Sequence, residues 1–189
     1  RRGDVDGLAE AGYTTISPAQ YLAHLTTGAA LPSRPILLTF DDGKDNQATT
    51  ALPELARRGM TGTLFIMTVV LDKPGWISSD QVRALADSGM TIGAHTWDHQ
   101  KLSKLPDGEW ATQLEKPRET LRRLSGQEVD TLAFPYGIWA PHVLPHVAAA
   151  GYATAFQLDG QPLDSANPLL TLRRRMTVST WTPAQLIER

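Results

Sequence analysis

Two aspartates side by side at the end of an apolar run, and two histidines four residues apart, are the residues of this chain best suited to chemistry. The first pair closes Ile36-Leu37-Leu38-Thr39-Phe40-Asp41-Asp42-Gly43, and the second frames His95-Thr96-Trp97-Asp98-His99. Leu37 and Leu38 read as strand interior, so Asp41 and Asp42 should emerge at the strand's end, pointing to different sides. Like charges held that close repel unless a cation or a shared proton relieves them. The histidine spacing predicts one face of a helical turn, from which both imidazoles reach one metal. Two His and one carboxylate form a frequent catalytic zinc or iron set, one that leaves positions open for water and substrate. Taken singly, an H-x-x-x-H is weak evidence of ligation, and an Asp-Asp-Gly at a strand end is more often a turn or a helix cap than a site. Together, at the ends of two strands, they read as a site.

The elements that must position them can be traced along the chain. Ser17-Pro18-Ala19-Gln20 combines a capping Ser, a Pro at the first helical position and a reciprocal Gln, which predicts a helix through about Leu25. Strands are expected at Pro35 to Phe40, Thr63 to Thr68, Met90 to Ala94, Asp130 to Phe134, Tyr152 to Gln157 and Leu169 to Arg174. Helices are expected at Asn46 to Arg58, Ser78 to Asp87, Asp107 to Leu124 with a kink at Pro117, and Pro141 to Ala150. Thr182-Pro183-Ala184-Gln185 repeats the capping logic of Ser17 and opens a last helix. Strands alternating with helices predict an α/β fold with a parallel sheet wrapped by helices. In such folds active sites assemble at the C-terminal ends of the strands, where both motifs lie.

Composition narrows the function classes. The 189 residues suit one domain, without repeats or linkers, and the net charge of -2 gives no sign of a nucleic-acid surface. No apolar run approaches the length that spans a membrane. The opening Arg1-Arg2-Gly3-Asp4 does not carry the apolar run of a secretory signal, which leaves location open. With no cysteine, disulfides and thiolate metal sites are excluded.

The chain resembles the polysaccharide deacetylases of carbohydrate esterase family 4. Their T-F-D-D-G motif is matched by Thr39 to Gly43, their H-[ST]-x-x-H by His95 to His99, and their R-x-P-Y-G by Ala133-Phe134-Pro135-Tyr136-Gly137, with Ala in place of Arg. The resemblance implies a single-domain distorted (β/α) barrel of about seven strands over residues 1–189. It implies that Asp42, His95 and His99 hold a divalent metal, Zn2+ first, with Co2+, Ni2+ or Fe2+ accepted by the same ligands. Asp41 would be the general base, and the backbone N–H of Tyr136 would steady the oxyanion. Thr96, Phe134, Pro135, Tyr136 and Trp139 would contact the sugar, although Phe134, Tyr136 and Trp139 also read as packed aromatics. The implied activity is removal of N-acetyl groups from an N-acetylglucosamine polysaccharide. Ala133 and the long segment ahead of the first motif point to the branch acting on poly-β-1,6-N-acetylglucosamine. A monomer in an extracellular, cell-surface or periplasmic location is expected.

Two departures from the family pattern matter. The Arg missing at Ala133 leaves the base unsupported unless one of Arg173, Arg174 and Arg175 replaces it. The late His that protonates the leaving amine has no counterpart in Leu172 to Val178, which leaves His142, a water or a residue outside these 189 as the donor. The fourth motif is also missing, with Leu158-Asp159-Gly160 its nearest remnant. The competing readings are a carbohydrate-binding domain without turnover, a peptidoglycan or chitin deacetylase, and a metal phosphoesterase. The last is disfavoured, since Lys44 and the Arg run are the only cationic clamps on offer.

Overall fold

A computed structural model of the chain describes residues 2–158 and 160–177. The helix expected at Thr182, and Asp159, lie outside these residues. The strands are β1 (Thr14–Thr15), β2 (Pro35–Ile36), β3 (Thr39–Asp42), β4 (Thr63–Ile66), β5 (Thr91–Ala94), β6 (Thr131–Ala133), β7 (Thr154–Leu158) and β8 (Leu172–Arg174). The helices are α1 (Arg2–Glu10), α2 (Pro18–Thr27), α3 (Leu52–Ala56), α4 (Ser79–Asp87), α5 (Lys116–Ser125) and α6 (Leu144–Ala149). β1 and β2 form a small parallel pair. The remaining six strands make one parallel sheet in chain order, β3-β4-β5-β6-β7-β8. It curls into a distorted (β/α) barrel with helices outside.

Alternation along the strands sorts side chains into two layers. Leu64, Ile66, Ile92 and Leu132 face outward and join Leu52, Val82, Leu121 and Val147 from the helices in the main core. Phe65, Ala133, Phe156 and Leu172 face inward and fill the barrel, with the Phe65 and Phe156 rings 5.7 Å apart. The interior is tight at Gly93. A Cβ there would lie 2.6 Å from the Phe65 ring and 2.9 Å from the Thr131 methyl.

The capping boxes read at Ser17 and Ser78 both form, with Gln20 and Gln81 as reciprocal partners. The single strand expected at Pro35 to Phe40 is divided instead. β2 pairs with β1, the backbone then leaves that pair, and β3 pairs with β4 in the main sheet. Pattern cannot show this break, because Leu37 and Leu38 are apolar on either path. The helices expected at Asn46 to Arg58 and Asp107 to Leu124 each begin with a wide π-helical turn, at Gln47–Ala51 and Ala111–Glu115. Pro53 and Pro117 follow these turns. A proline lacks the N–H of the regular ladder and its ring crowds the carbonyl four residues back, which the wider turn relieves. α1 and β1 carried no sequence signal strong enough to be read.

Candidate active site

Asp41 and Asp42 end β3. Simple alternation would separate their side chains, as the sequence predicts. Asp42 instead adopts a left-handed φ of 79°, which turns its carboxylate back toward the histidines that Asp41 also faces. Gly43 follows with φ 82°, and a Cβ there would press on Ile66 and Ile77 at 3.1 and 3.2 Å. Glycine fits both the conformation and the space.

His95 is the first residue beyond β5. Its N–H donates to the Ile66 carbonyl at 3.0 Å, and the side chain is buried. The expected helical turn is not what carries His99 back. Residues 96 to 98 form a reverse turn with left-handed φ at Thr96 (66°) and His99 (67°). The Thr96 hydroxyl, fully buried, accepts the His99 N–H at 3.1 Å. The two rings lie 4.8 Å apart, edge toward face.

Asp42 Oδ1 stands 3.5 Å from His95 Nε2 and 3.6 Å from His99 Nε2. The three donor atoms lie within 4.8 Å of one another. A tetrahedral zinc ion with bonds of about 2.0–2.2 Å separates its ligand atoms by roughly 3.3–3.5 Å; the two Asp42–histidine distances match this, while the widest separation, 4.8 Å, exceeds it, so a small divalent cation would draw the set together. His95 Nδ1 lies 2.8 Å from the Ala133 carbonyl and donates to it, which directs Nε2 at the cation position. His95 facing Asp42 holds that carboxyl below the usual range, aided by the charges of His95, His99 and Lys44 against the effect of burial. Burial, then the neighbouring His95, lowers the His99 imidazole below its ordinary pKa. Ionised carboxylate and neutral imidazole are the forms that ligate.

Asp41 is clamped by Arg174 of β8. The guanidinium donates two bonds, of 2.6 and 2.5 Å, to the two carboxylate oxygens and a third of 3.0 Å to the Thr39 hydroxyl. It also packs 5.3 Å from the centre of the Phe65 ring. Of the three late arginines, Arg174 bonds Asp41, while Arg173 turns to the Gln161 carbonyl. β3 and β8 are the two edges of the sheet, so this ion pair spans the barrel seam. Ala133 sits buried on the opposite side of the interior and contributes its carbonyl to His95.

The third-motif side chains are unequally placed. Phe134 and Pro135 are buried, whereas Tyr136 is 53% exposed with a left-handed φ of 60°. Its ring lies 4.5 Å from that of His99, and Lys101 Nζ is 5.0 Å from its centre. Trp139 is half-buried, packs against the main core and donates its indole N–H to the buried Gln157. On the side of Asp42, Lys44 Nζ sits 3.3 Å from the centre of the Trp76 ring. His142 is exposed, and among the described residues it makes no hydrogen bond or ion pair. His24 bonds the Ala29 carbonyl at the end of α2. Sequence reading missed Gln47, whose amide donates to the Asp41 carbonyl at 2.6 Å. A glutamine at a helix start carries no signal that separates this role from a solvated one.

Comparison with known proteins agrees with this geometry. Residues 28–155, more than half of the chain, match the family model for polysaccharide deacetylase. The peptidoglycan-N-acetylglucosamine deacetylase of Bacillus cereus is 33% identical over 103 residues, 54% of this chain and 36% of that protein. The chain spans only 22% to 52% of the length of the first curated relatives it matches. Among solved structures, Streptococcus pyogenes deacetylase PplD superposes with a TM-score of 0.91 at 21% identity, covering 99% of this chain and 84% of that one. IcaB from Ammonifex degensii gives 0.80 at 22% identity, with 99% and 86% covered. At those identities the structural likeness is one of fold. The family match brackets both aspartates, both histidines and the Tyr136 loop, and on that ground the chain belongs to the polysaccharide deacetylase family.

Proposed function

We propose that the chain removes N-acetyl groups from N-acetylglucosamine units of a polysaccharide, releasing acetate, with a divalent cation at Asp42, His95 and His99. The observation that carries the reading is the meeting of that ligand set with an arginine-clamped aspartate at one edge of the barrel. The B. cereus relative, by its name, acts on the same sugar in peptidoglycan. Poly-β-1,6-N-acetylglucosamine is the first-choice polymer, because Ala133 replaces the usual Arg, and Arg174 takes over from another strand.

A cation held there lowers the pKa of water and polarises the acetamide carbonyl. The rest follows from side chains. Arg174 fixes the plane of the Asp41 carboxylate, which accepts a proton from the attacking water as oxygen bonds to the acetyl carbon. The backbone N–H of Tyr136 donates to the carbonyl oxygen as charge collects on it. When the C–N bond breaks, the proton taken by Asp41 is passed to the leaving nitrogen, giving acetate and a free amine. The exposed Tyr136 ring stacks beside the sugar, with Trp139 and the Lys44–Trp76 pair shaping the rim. Action on an extracellular or cell-surface polymer follows from this substrate.

The test is acetate release from poly-β-1,6-N-acetylglucosamine, peptidoglycan and chitin oligomers, with and without chelator, by the chain and by Asp42→Ala. Release that stops with chelator and with Asp42→Ala is expected. Polymer binding without release under several divalent metals would overturn the reading in favour of a binding domain.

A further inference from the structure

Beyond the ligands, the base and its arginine, one fully buried polar side chain is aimed at the metal-binding turn. Gln113 lies in the π-helical turn Ala111–Glu115, where the Lys116 N–H reaches back five residues to Ala111. Its side-chain oxygen accepts the Trp97 N–H at 3.2 Å, and its amide donates to Asp98 Oδ1 at 2.9 Å. Asp98 Oδ2 accepts in turn from Gln100. Both Trp97 and Asp98 stand between the two histidines. The turn needs such support, because Thr96 and His99 hold left-handed conformations that non-glycine residues rarely adopt. From the other side, the Trp97 carbonyl is held by the Val69 N–H at 2.9 Å.

The π-turn gives this contact its origin. In a regular helix Pro117 would crowd the Gln113 carbonyl, and the widened turn that avoids the clash also sets Gln113 facing the histidine loop. A position serving helix packing alone is filled by an apolar side chain, as the adjacent buried Leu114 is.

We propose that Gln113 is a positioning residue, holding the His95–His99 turn in the shape that sets His99 beside Asp42. The proposal rests on reading Asp42, His95 and His99 as the metal set. Gln113→Met keeps length and bulk while removing both bonds. In the metal-free chain, amide exchange at Trp97 should speed at least about tenfold, and zinc affinity should fall about 10–100-fold with a shifted Co2+ absorption spectrum. Leu114→Ala, a cavity in the same turn, should lower thermal stability yet leave zinc affinity within about twofold. Should Gln113→Met not fold, Asp98→Ala removes the acceptor at a half-buried position and should lower affinity at least about threefold. Exchange and affinity unchanged in Gln113→Met, affinity unchanged in Asp98→Ala, or an equal loss in Leu114→Ala would each overturn the proposal. If the wild-type chain takes up neither zinc nor cobalt, the metal reading fails, and Trp97 exchange alone decides the role of Gln113.

Discussion

Replacing Arg174 with alanine separates support of the fold from support of the chemistry. The arginine side chain is 11% exposed and its partner Asp41 31%. The pair therefore sits between the surface case, worth up to about 1 kcal/mol, and the buried case, where losing one partner costs about 3–5 kcal/mol. A loss of about 2 kcal/mol is expected, which in a domain of this size lowers Tm by about 4–8 °C. On the catalytic side, a well-placed general base supplies about 10²–10⁴ in rate, and displacement by about an ångström forfeits on the order of 10². kcat for acetate release should thus drop about a hundredfold, with KM and zinc affinity nearly unchanged, because no ligand atom depends on Arg174. Arg174→Lys keeps the charge but not the two-pronged contact and should fall between. The assay is steady-state acetate release beside a thermal melt and a zinc titration. A kcat within about threefold of wild type at the predicted Tm loss would leave Arg174 a seam tie and refute its service to the base.

Other expectations are independent of that pair. Gly93→Ala drives a methyl into the Phe65 ring and should cost about 1–3 kcal/mol in denaturant unfolding, with zinc affinity retained in the folded fraction. His142→Ala should leave the pH profile of acetate release unchanged, since His142 is exposed and makes no hydrogen bond or ion pair among the described residues; a lost limb would show the opposite. Asp72 accepts the Ser79 N–H and hydroxyl, both at 2.7 Å, and these bonds, the backbone one first, hold its carboxyl below the usual 3.8. Its folded pKa lies below the unfolded value, so its contribution to stability is complete above that ordinary value and is lost as pH falls through the lowered one. Carboxyl NMR titration should show the low value in wild type and a rise in Ser79→Ala.

What the sequence discloses is set by the range of each signal. The proposed ligands and base announce themselves because carboxylates after an apolar run and histidines at strand ends are local in spacing. Capping boxes at Ser17 and Ser78 are equally local, and both form. The shape of the histidine turn was hidden, because spacing alone does not separate a helical turn from a reverse turn with left-handed residues. The same holds for Asp42, whose left-handed φ overrides the alternation that would part it from His95. Arg174 could be narrowed to a run of three but not chosen, since the choice depends on which face of β8 meets β3. Gln47 and Gln113 were invisible, because their partners lie on other elements and glutamine is usually solvated.

The seam between β3 and β8 has a thermal consequence. Among the described residues each of these strands is paired along one side, and β8 has three residues. Edge segments open at lower free energy than a sheet's interior. Asp41, the proposed proton acceptor, sits on one edge and Arg174, its anchor, on the other. Gentle warming should therefore silence turnover reversibly while far-UV dichroism still reports an intact molecule, and a glycan chain lying across both margins would narrow the gap between the two temperatures.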